Sequence, residues 1–426
     1  MNILIVGAGG REHTLAWKLK QSKSCDHLFI APGNAGTALC GTNLPIASTQ
    51  FETLVKAAVK HNIEMLIVGP EEPLVKGIAD FFKSNAATSH IHIIGPGAEA
   101  SQLEGSKAYA KAFMERHGIP TAAYREFTAE NFDEGLQYIQ QHSLPIVLKA
   151  DGLAAGKGVL ICQSHIEAAA EFELMIHRNK FGEAGSRVVI EEFLQGIEMS
   201  VFALTDGVNY VLLPEAKDYK RVGEGDTGLN TGGMGAVSPL PFFSDALRQK
   251  IVSTIVEPTV NGLKKDALEY KGFIFFGLMI DGDNPMVIEY NCRMGDPETE
   301  AVMPRLQNDL VELLLATAEQ RLPEIEIKTD PRSTVAIVAV SGGYPGEHET
   351  GLEIEGLEVP LGQDSLLFHS GTKGKDDTVV TNGGRVLVVT SFGIDAEDAC
   401  TKSKDVLRQI HFEGINYRRD IGYEFS

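Results

Sequence analysis

The chain opens with an unbroken apolar run at residues 3–6, Ile3-Leu4-Ile5-Val6, that empties into the turn Gly7-Ala8-Gly9-Gly10. Residues 65–68 and 91–94 repeat the pattern, each ending at a glycine, Gly69 and Gly95, with stretches of helical character between the runs. Short apolar runs bounded by turns predict strands buried on both faces. Their alternation with helices predicts a small open parallel α/β domain over residues 1–103. Open sheets of this kind bind ligands at the carboxyl ends of their strands, so the glycine turns predict a binding face.

Residues 106–117 read as a helix capped by Ser106 and stopped by Gly118 and Pro120. The pattern then turns strand-rich. Residues 145–150 and 158–162 flank a glycine loop, and 187–193 form a further strand, which together predict a hairpin-bearing subdomain. Residues 224–235 hold five glycines in twelve positions and read as a long functional loop. From Phe273, two strands joined through Asp281-Gly282-Asp283-Asn284-Pro285 form a hairpin. Strands at 334–340 and 385–390 and a helix near 397–410 predict a C-terminal α/β unit. The chain shows no internal repeat or low-complexity tract.

Composition narrows the class. With 426 residues, 43% apolar and 23% charged, the chain suits a soluble protein of about three domains. Its five cysteines are scattered without C-x-x-C spacing, which argues against a disulfide framework and fits a reducing cytoplasm. No apolar run approaches the roughly 20 residues of a membrane span, and the amino terminus reads as a buried strand, not a secretory signal. A formal charge of -20 argues against sequence-independent nucleic-acid binding, which rests on neutralising phosphates. A monomer without membrane or nucleic-acid partners is expected, and any phosphorylated ligand must be held by local donors.

Two familiar phosphate motifs fail. In the first glycine turn the third glycine of G-x-G-x-x-G would stand where Glu12 does, which disfavours a nicotinamide oxidoreductase. Residues 152–158, Gly-Leu-Ala-Ala-Gly-Lys-Gly, put three residues between the glycines where a P-loop has four, and Gly158 replaces the metal-binding hydroxyl. What remains is a glycine loop presenting Lys157, with Lys149 ending the strand before it. A nucleotide triphosphate needs cations for its phosphates, a slot for the base, a carboxylate for the ribose and hard oxygens for the metal. Lys107 and Lys149 answer the first need. Glu191, the backbone of Phe193 and Leu194, and Glu198 answer the next two, although an edge strand with solvated glutamates would give the same pattern. Strand alternation puts Glu289 and Asn291 on one face, as a divalent metal requires. Arg293, just beyond them, is placed to stabilise charge on a transferring phosphoryl group.

Read in order, these residues resemble the ATP-grasp superfamily and, within it, the phosphoribosylamine–glycine ligase family. The resemblance spans nearly the whole chain: Gly9-Gly10-Arg11-Glu12-His13, Ala31-Pro32-Gly33-Asn34-Ala35-Gly36, Val68-Gly69-Pro70-Glu71, Leu103-Glu104-Gly105-Ser106-Lys107, Lys220-Arg221, Asp226-Thr227-Gly228, Asn291 through the Arg293-Met294-Gly295-Asp296-Pro297-Glu298 stretch, and Thr381-Asn382-Gly383-Gly384-Arg385. Met294 stands where phenylalanine is the family pattern. The resemblance implies an ADP-forming carbon–nitrogen ligase that joins glycine to 5-phosphoribosylamine through glycyl phosphate, a step of purine synthesis. It implies an N-terminal substrate-binding α/β domain (1–103), an ATP-grasp domain of two subdomains (104–328, with a flexible lid near 120–195) and a C-terminal mixed α/β domain (329–426). ATP would be held by Lys107, Lys149, Gly156, Lys157, Glu191, Phe193, Leu194 and Glu198, and Mg²⁺ or Mn²⁺ by Glu289 and Asn291. Arg293 and Asp296 would be catalytic. Gly10, Arg11, Glu12, Asn34, Gly36, Glu71, Asp226 and Asn230 would meet the substrates. An ATP-grasp carboxylate–amine ligase with another acceptor would share the ATP machinery and differ in these last loops.

Overall fold

The computed structural model describes residues 1–153, 158–178 and 180–425, without the side chain of Glu183. The first sheet is parallel, in the order Thr42–Asn43, His27–Pro32, Asn2–Gly7, Met65–Val68, His92–Ile94. Ile3, Leu4, Ile5 and Val6 are wholly buried at its centre, as a strand covered by helices on both sides must be. Two of its strands escape prediction for a physical reason: His27–Pro32 begins polar and ends in proline, and Thr42–Asn43 is two residues long. The helix Gly10–Leu19 leaves the first turn with its start aimed across the carboxyl edge of the sheet.

A four-stranded antiparallel sheet follows, ordered Tyr124–Thr128, Arg187–Glu192, Ile146–Ala150, Val159–Cys162. Helices Phe132–Gln141 and His165–His177 cover one face over a core of Phe127, Leu148, Phe172 and Ile190. Its other face is left to the cleft. A second antiparallel sheet, ordered Tyr210–Leu212, Ile197–Thr205, Gly272–Asp281, Asn284–Asn291, forms the opposite wall. In its last pair Gly277 faces Glu289 while Leu278 faces Val287, so Ile288 is an extra, bulged residue. A bulge re-aims the chain. Here it lets Ile288 and Glu289 both face the cleft while Val287 and Tyr290 stay buried.

The last sheet runs Lys217–Asp218, Gly235–Ser238, Ser333–Val340, Arg385–Gly393, Ser365–His369, with helix Ala396–Leu407 packed on it. Its first two strands come from the middle of the chain and carry the second antiparallel sheet's cleft edge into the C-terminal unit. The stretch expected as a glycine-rich loop at 224–235 is partly a hairpin, Arg221–Gly223 against Thr227–Asn230. Gly225 and Asp226 turn it at φ 65° and 54°, a left-handed geometry that closes tight hairpins. Arg418, fully buried, anchors that turn through Asp226 at 2.6 Å and is itself gripped by Asp420 at 2.8 Å. Among the described residues no helix is long and apolar enough to cross a membrane.

Candidate active site

Residues from all four sheets line a cleft of about 1400 Å³. The strand Asn284–Asn291 forms its floor. Tyr290 faces the core, its hydroxyl 2.8 Å from that of Thr259, which holds Glu289 and Asn291 outward. Asn291 donates to Glu104 at 3.2 Å and to the Tyr290 carbonyl, so its amide oxygen stays free for the cleft. The Glu289 carboxylate has no hydrogen-bond or ion-pair partner among the described residues. A free carboxylate beside a free amide oxygen is a hard-oxygen pair that suits Mg²⁺. No cluster of three or more metal-holding His, Cys, Asp or Glu side chains occurs among the described residues.

The cations stand above this pair. Lys107 opens the helix Lys107–Arg116, capped by the Ser106 hydroxyl as predicted, and its ammonium reaches the Gly152 carbonyl at 3.2 Å. Burial lowers its pKa, against the pull of Glu289. Lys149 lies near the end of a strand in the four-stranded antiparallel sheet and spends two donors on Glu191 at 2.8 Å and the Ile288 carbonyl at 3.2 Å, leaving a third for a ligand. Glu191 is therefore no solvated edge residue: it is buried between Lys149 and Lys111, the latter at 3.2 Å. Lys111, one helical turn beyond Lys107, also donates to Thr121 at 2.8 Å and to the Ala122 carbonyl. Phe193 and Leu194 link that sheet to the next, and among the described residues their backbone groups have no hydrogen-bond partner, which leaves them open to the edge of a base. Glu198 is paired with Lys220 at 3.0 Å. Gly156 and Lys157 lie outside the described residues.

Lys111 supplies a test. Burial lowers its pKa to about 8, with Glu191 opposing, so its charge, and with it one of the two cations holding Glu191, is lost as the pH rises through that value. The KM for ATP is expected to climb several-fold between about pH 7 and 9 in the wild type and to climb distinctly less in Lys111→Arg, whose guanidinium keeps its proton. Parallel profiles in the two proteins would remove Lys111 from the nucleotide site.

Beyond the strand Asn284–Asn291, Arg293 lies 2.7 Å from Glu104 and 3.5 Å from Glu71, and its Nε is buried without a partner among the described residues. Burial opposes its charge, but Glu104 and then Glu71 outweigh it and raise the pKa. Asp296 accepts from the Arg11 backbone N–H at 3.2 Å and pairs with Arg385 at 3.1 Å. Burial works to protonate it, yet Arg385 and Arg11 hold its carboxyl below the usual range. Glu298 is driven the other way, up by burial and then by Asp218.

Most of the expected site residues thus share one cleft: Lys107, Lys149, Glu191, Phe193, Leu194, Glu198, Glu289, Asn291, Arg293, Asp296, Arg11, Glu12, Glu71, Asp226 and Asn230. Two sit differently from a simple contact residue. Glu12 turns beneath the first glycine turn, accepting from Gly9 N–H at 2.6 Å and pairing with Arg11 at 2.6 Å, and Asp226 is tied to Arg418 and Tyr423. Gly10 and Gly36 do not line the cleft. A side chain at either would collide, with Glu300 at Gly10 and with His13 at Gly36, so both serve close packing. Asn34 lines a smaller neighbouring pocket. Glu104, Lys111, Asp218, Lys220 and Arg385 had no role assigned from the sequence. The spacing of Lys107 and Lys111, one turn apart on one helix face, was the available signal for one of them.

Comparison with known proteins agrees with this arrangement. Family models of phosphoribosylglycinamide synthetase match as an N domain over residues 1–104, an ATP-grasp (A) domain over 105–299 and a C domain over 334–424. Proteins named phosphoribosylamine–glycine ligase from Vibrio vulnificus and Pseudomonas aeruginosa are each 47% identical over 99% of this chain and 98% of their own length. The solved phosphoribosylamine–glycine ligase of Thermotoga maritima superposes with a TM-score of 0.85 at 36% identity, covering 99% of this chain and all of that one. The biotin carboxylase domain of Hydrogenobacter thermophilus 2-oxoglutarate carboxylase, solved with MgADP and bicarbonate, has a TM-score of 0.74 at 17% identity and shares the fold. On matches that cover nearly its whole length, the chain belongs to the phosphoribosylglycinamide synthetase family.

Proposed function

We propose that the protein joins glycine to the amine of 5-phosphoribosylamine at the expense of ATP, through glycyl phosphate, giving glycinamide ribonucleotide, ADP and phosphate. The near-full-length identity to phosphoribosylamine–glycine ligases supports the substrates. The observation that carries the chemistry is the line of groups from Lys107 and Lys149, past Glu289 and Asn291, to Arg293 and Asp296 along one cleft. In this reading residues 1–103 and 329–426 bring the amine, and 104–328 bind ATP, with the lid near 120–195 closing over it. The protein works in the cytoplasm.

A carboxylate resists attack by an amine, so its oxygen first takes the γ-phosphoryl group and ADP departs. Lys107 and Lys149 hold the phosphates for this step, Glu191 fixes Lys149, and Phe193 and Leu194 offer backbone groups to the base. Glu289 and Asn291 would hold a divalent cation, which would supply charge neutralisation at the phosphates. Arg293 meets the negative charge that builds on the acyl phosphate as the amine attacks. The C–N bond forms, phosphate leaves with the C–O electron pair, and the amine's surplus proton passes to the Asp296 carboxylate, which its arginine neighbours keep ionised. Phosphate release from ATP is expected only when glycine and phosphoribosylamine are both present. Equal release with other amino acids would overturn the glycine assignment.

A further inference from the structure

The hairpin of Arg221–Gly223 and Thr227–Asn230 is a sheet of its own: among the described residues its strands pair only with each other, and residues 224–230 are exposed. A two-stranded hairpin left to itself is marginal in water. This one nevertheless has a fixed place in the cleft wall, which Arg221, Asp226 and Asn230 line. Its root stands between the nucleotide end of the cleft and the acceptor end. There the Thr231 N–H donates to the Lys220 carbonyl at 2.7 Å, and the Lys220 ammonium pairs with Glu198. Gly233, just beyond, packs so closely on Pro297 that a side chain would collide, and the Gly232 carbonyl accepts from Arg385 at 3.0 Å.

The tip is held from far along the chain, by residues 418–423. Arg418 is buried, and its guanidinium divides between two partners. Nη1 donates to the Asp226 carboxylate at 2.6 Å and to the Arg221 carbonyl at 3.2 Å, while Nε and Nη2 donate to Asp420 at 2.8 and 2.9 Å. Asp420 also accepts from the Gly225 N–H at 2.7 Å, and the Tyr423 hydroxyl donates to the other oxygen of Asp226 at 3.1 Å. The segment that carries these groups is a firm post. Ile421 is buried in the core of the last sheet, and Glu424 is tied to Lys217 at 2.6 Å and to the Tyr219 hydroxyl at 2.7 Å. A buried charge cluster is a weak source of stability, because the cost of desolvation offsets the attraction. What a planar guanidinium fork supplies is direction. One nitrogen of Arg418 holds both a leg and the tip of the hairpin, so the hairpin cannot swing outward without breaking the fork.

We propose that Arg418 and Asp420 are positioning residues for the ligation, holding the hairpin along the cleft wall so that glycyl phosphate meets the amine and not water. The intermediate they protect rests on the function proposed above. Neither residue lines the cleft, so each acts through the hairpin. With the tip released, water attacks the acyl carbon, the C–O bond to phosphate breaks with its electron pair, and the surplus proton of the water passes to solvent. Glycine and phosphate leave, and ATP has been hydrolysed with no C–N bond formed.

The test measures phosphate released against amide formed, on the full chain with ATP, glycine and phosphoribosylamine. The two are expected to run in step in the wild type. In Arg418→Lys, whose single ammonium cannot divide between Asp226 and Asp420, phosphate should exceed amide severalfold and should also appear with glycine alone. Tyr423→Phe removes one hydroxyl at an exposed position, so the fold is kept, and it should show the same change more weakly. A merely structural loss would lower phosphate and amide together. Hydrogen exchange gives a readout that needs no turnover: amides of residues 221–230 should exchange about tenfold faster in Arg418→Lys, the worth of one hydrogen bond to a charged group. Phosphate and amide still in step in both variants overturn the proposal, and so does hairpin exchange at the wild-type rate. A wild type that forms no amide overturns the ligase reading instead, and the exchange rates then decide whether Arg418 holds the hairpin.

Discussion

Arg293→Ala is expected to lower turnover by about 10²–10³-fold, the usual cost of removing one preorganised donor to a charged transition state, while ATP binding changes little. The same variant strips a partner from Glu104, which lies 2.7 Å away with its side chain 5% exposed. Breaking a buried pair from one side costs roughly 3–5 kcal/mol of stability, part of which Glu104 avoids by taking a proton, since burial already pushes its pKa up. Two effects are therefore mixed in the single variant. Arg293→Met combined with Glu104→Gln separates them: the melting temperature should return toward wild type and the turnover should not. A double variant that regains both would make Arg293 a brace for the loop. An unchanged rate in Arg293→Ala would take it out of the mechanism.

Glu289→Gln is expected to raise the Mg²⁺ concentration needed for half-maximal rate by about 10–100-fold, at almost no cost in stability, because the carboxylate has no partner to lose. A second effect has a definite sign. Glu289 is the first charge supporting the proton on Lys107 against burial, so its loss lowers that pKa further. The alkaline fall in ATP affinity should then begin at lower pH in the variant. Wild-type metal dependence in Glu289→Gln would discard the metal pair.

The elements that the sequence announced most clearly are those whose signal is local. Apolar runs ending in glycine mark three of the five strands of the first sheet, and Ser106 caps its helix as read. Alternation found Glu289 and Asn291, although for an incomplete reason: the extra residue Ile288 sets the facing, and a bulge has no signature in a single sequence. The losses are long-range. Glu191 was read toward the base, and its burial between two lysines depends on a helix 80 residues earlier. Asp226 was read as a substrate contact, whereas its partner Arg418 lies 192 residues downstream. Ion pairs formed across such separations leave no periodicity to read.

Asn34 bonds the carbonyl of His369, 335 residues further along the chain. At a synthesis rate of roughly 5–20 residues per second, that partner emerges roughly 20–70 seconds after Asn34 does. For that interval the first sheet can be folded with its ligand-binding edge unfinished. A nascent chain stalled after Glu298 but before the last strands would hold the residues expected to bind ATP without His369, the partner that fastens Asn34.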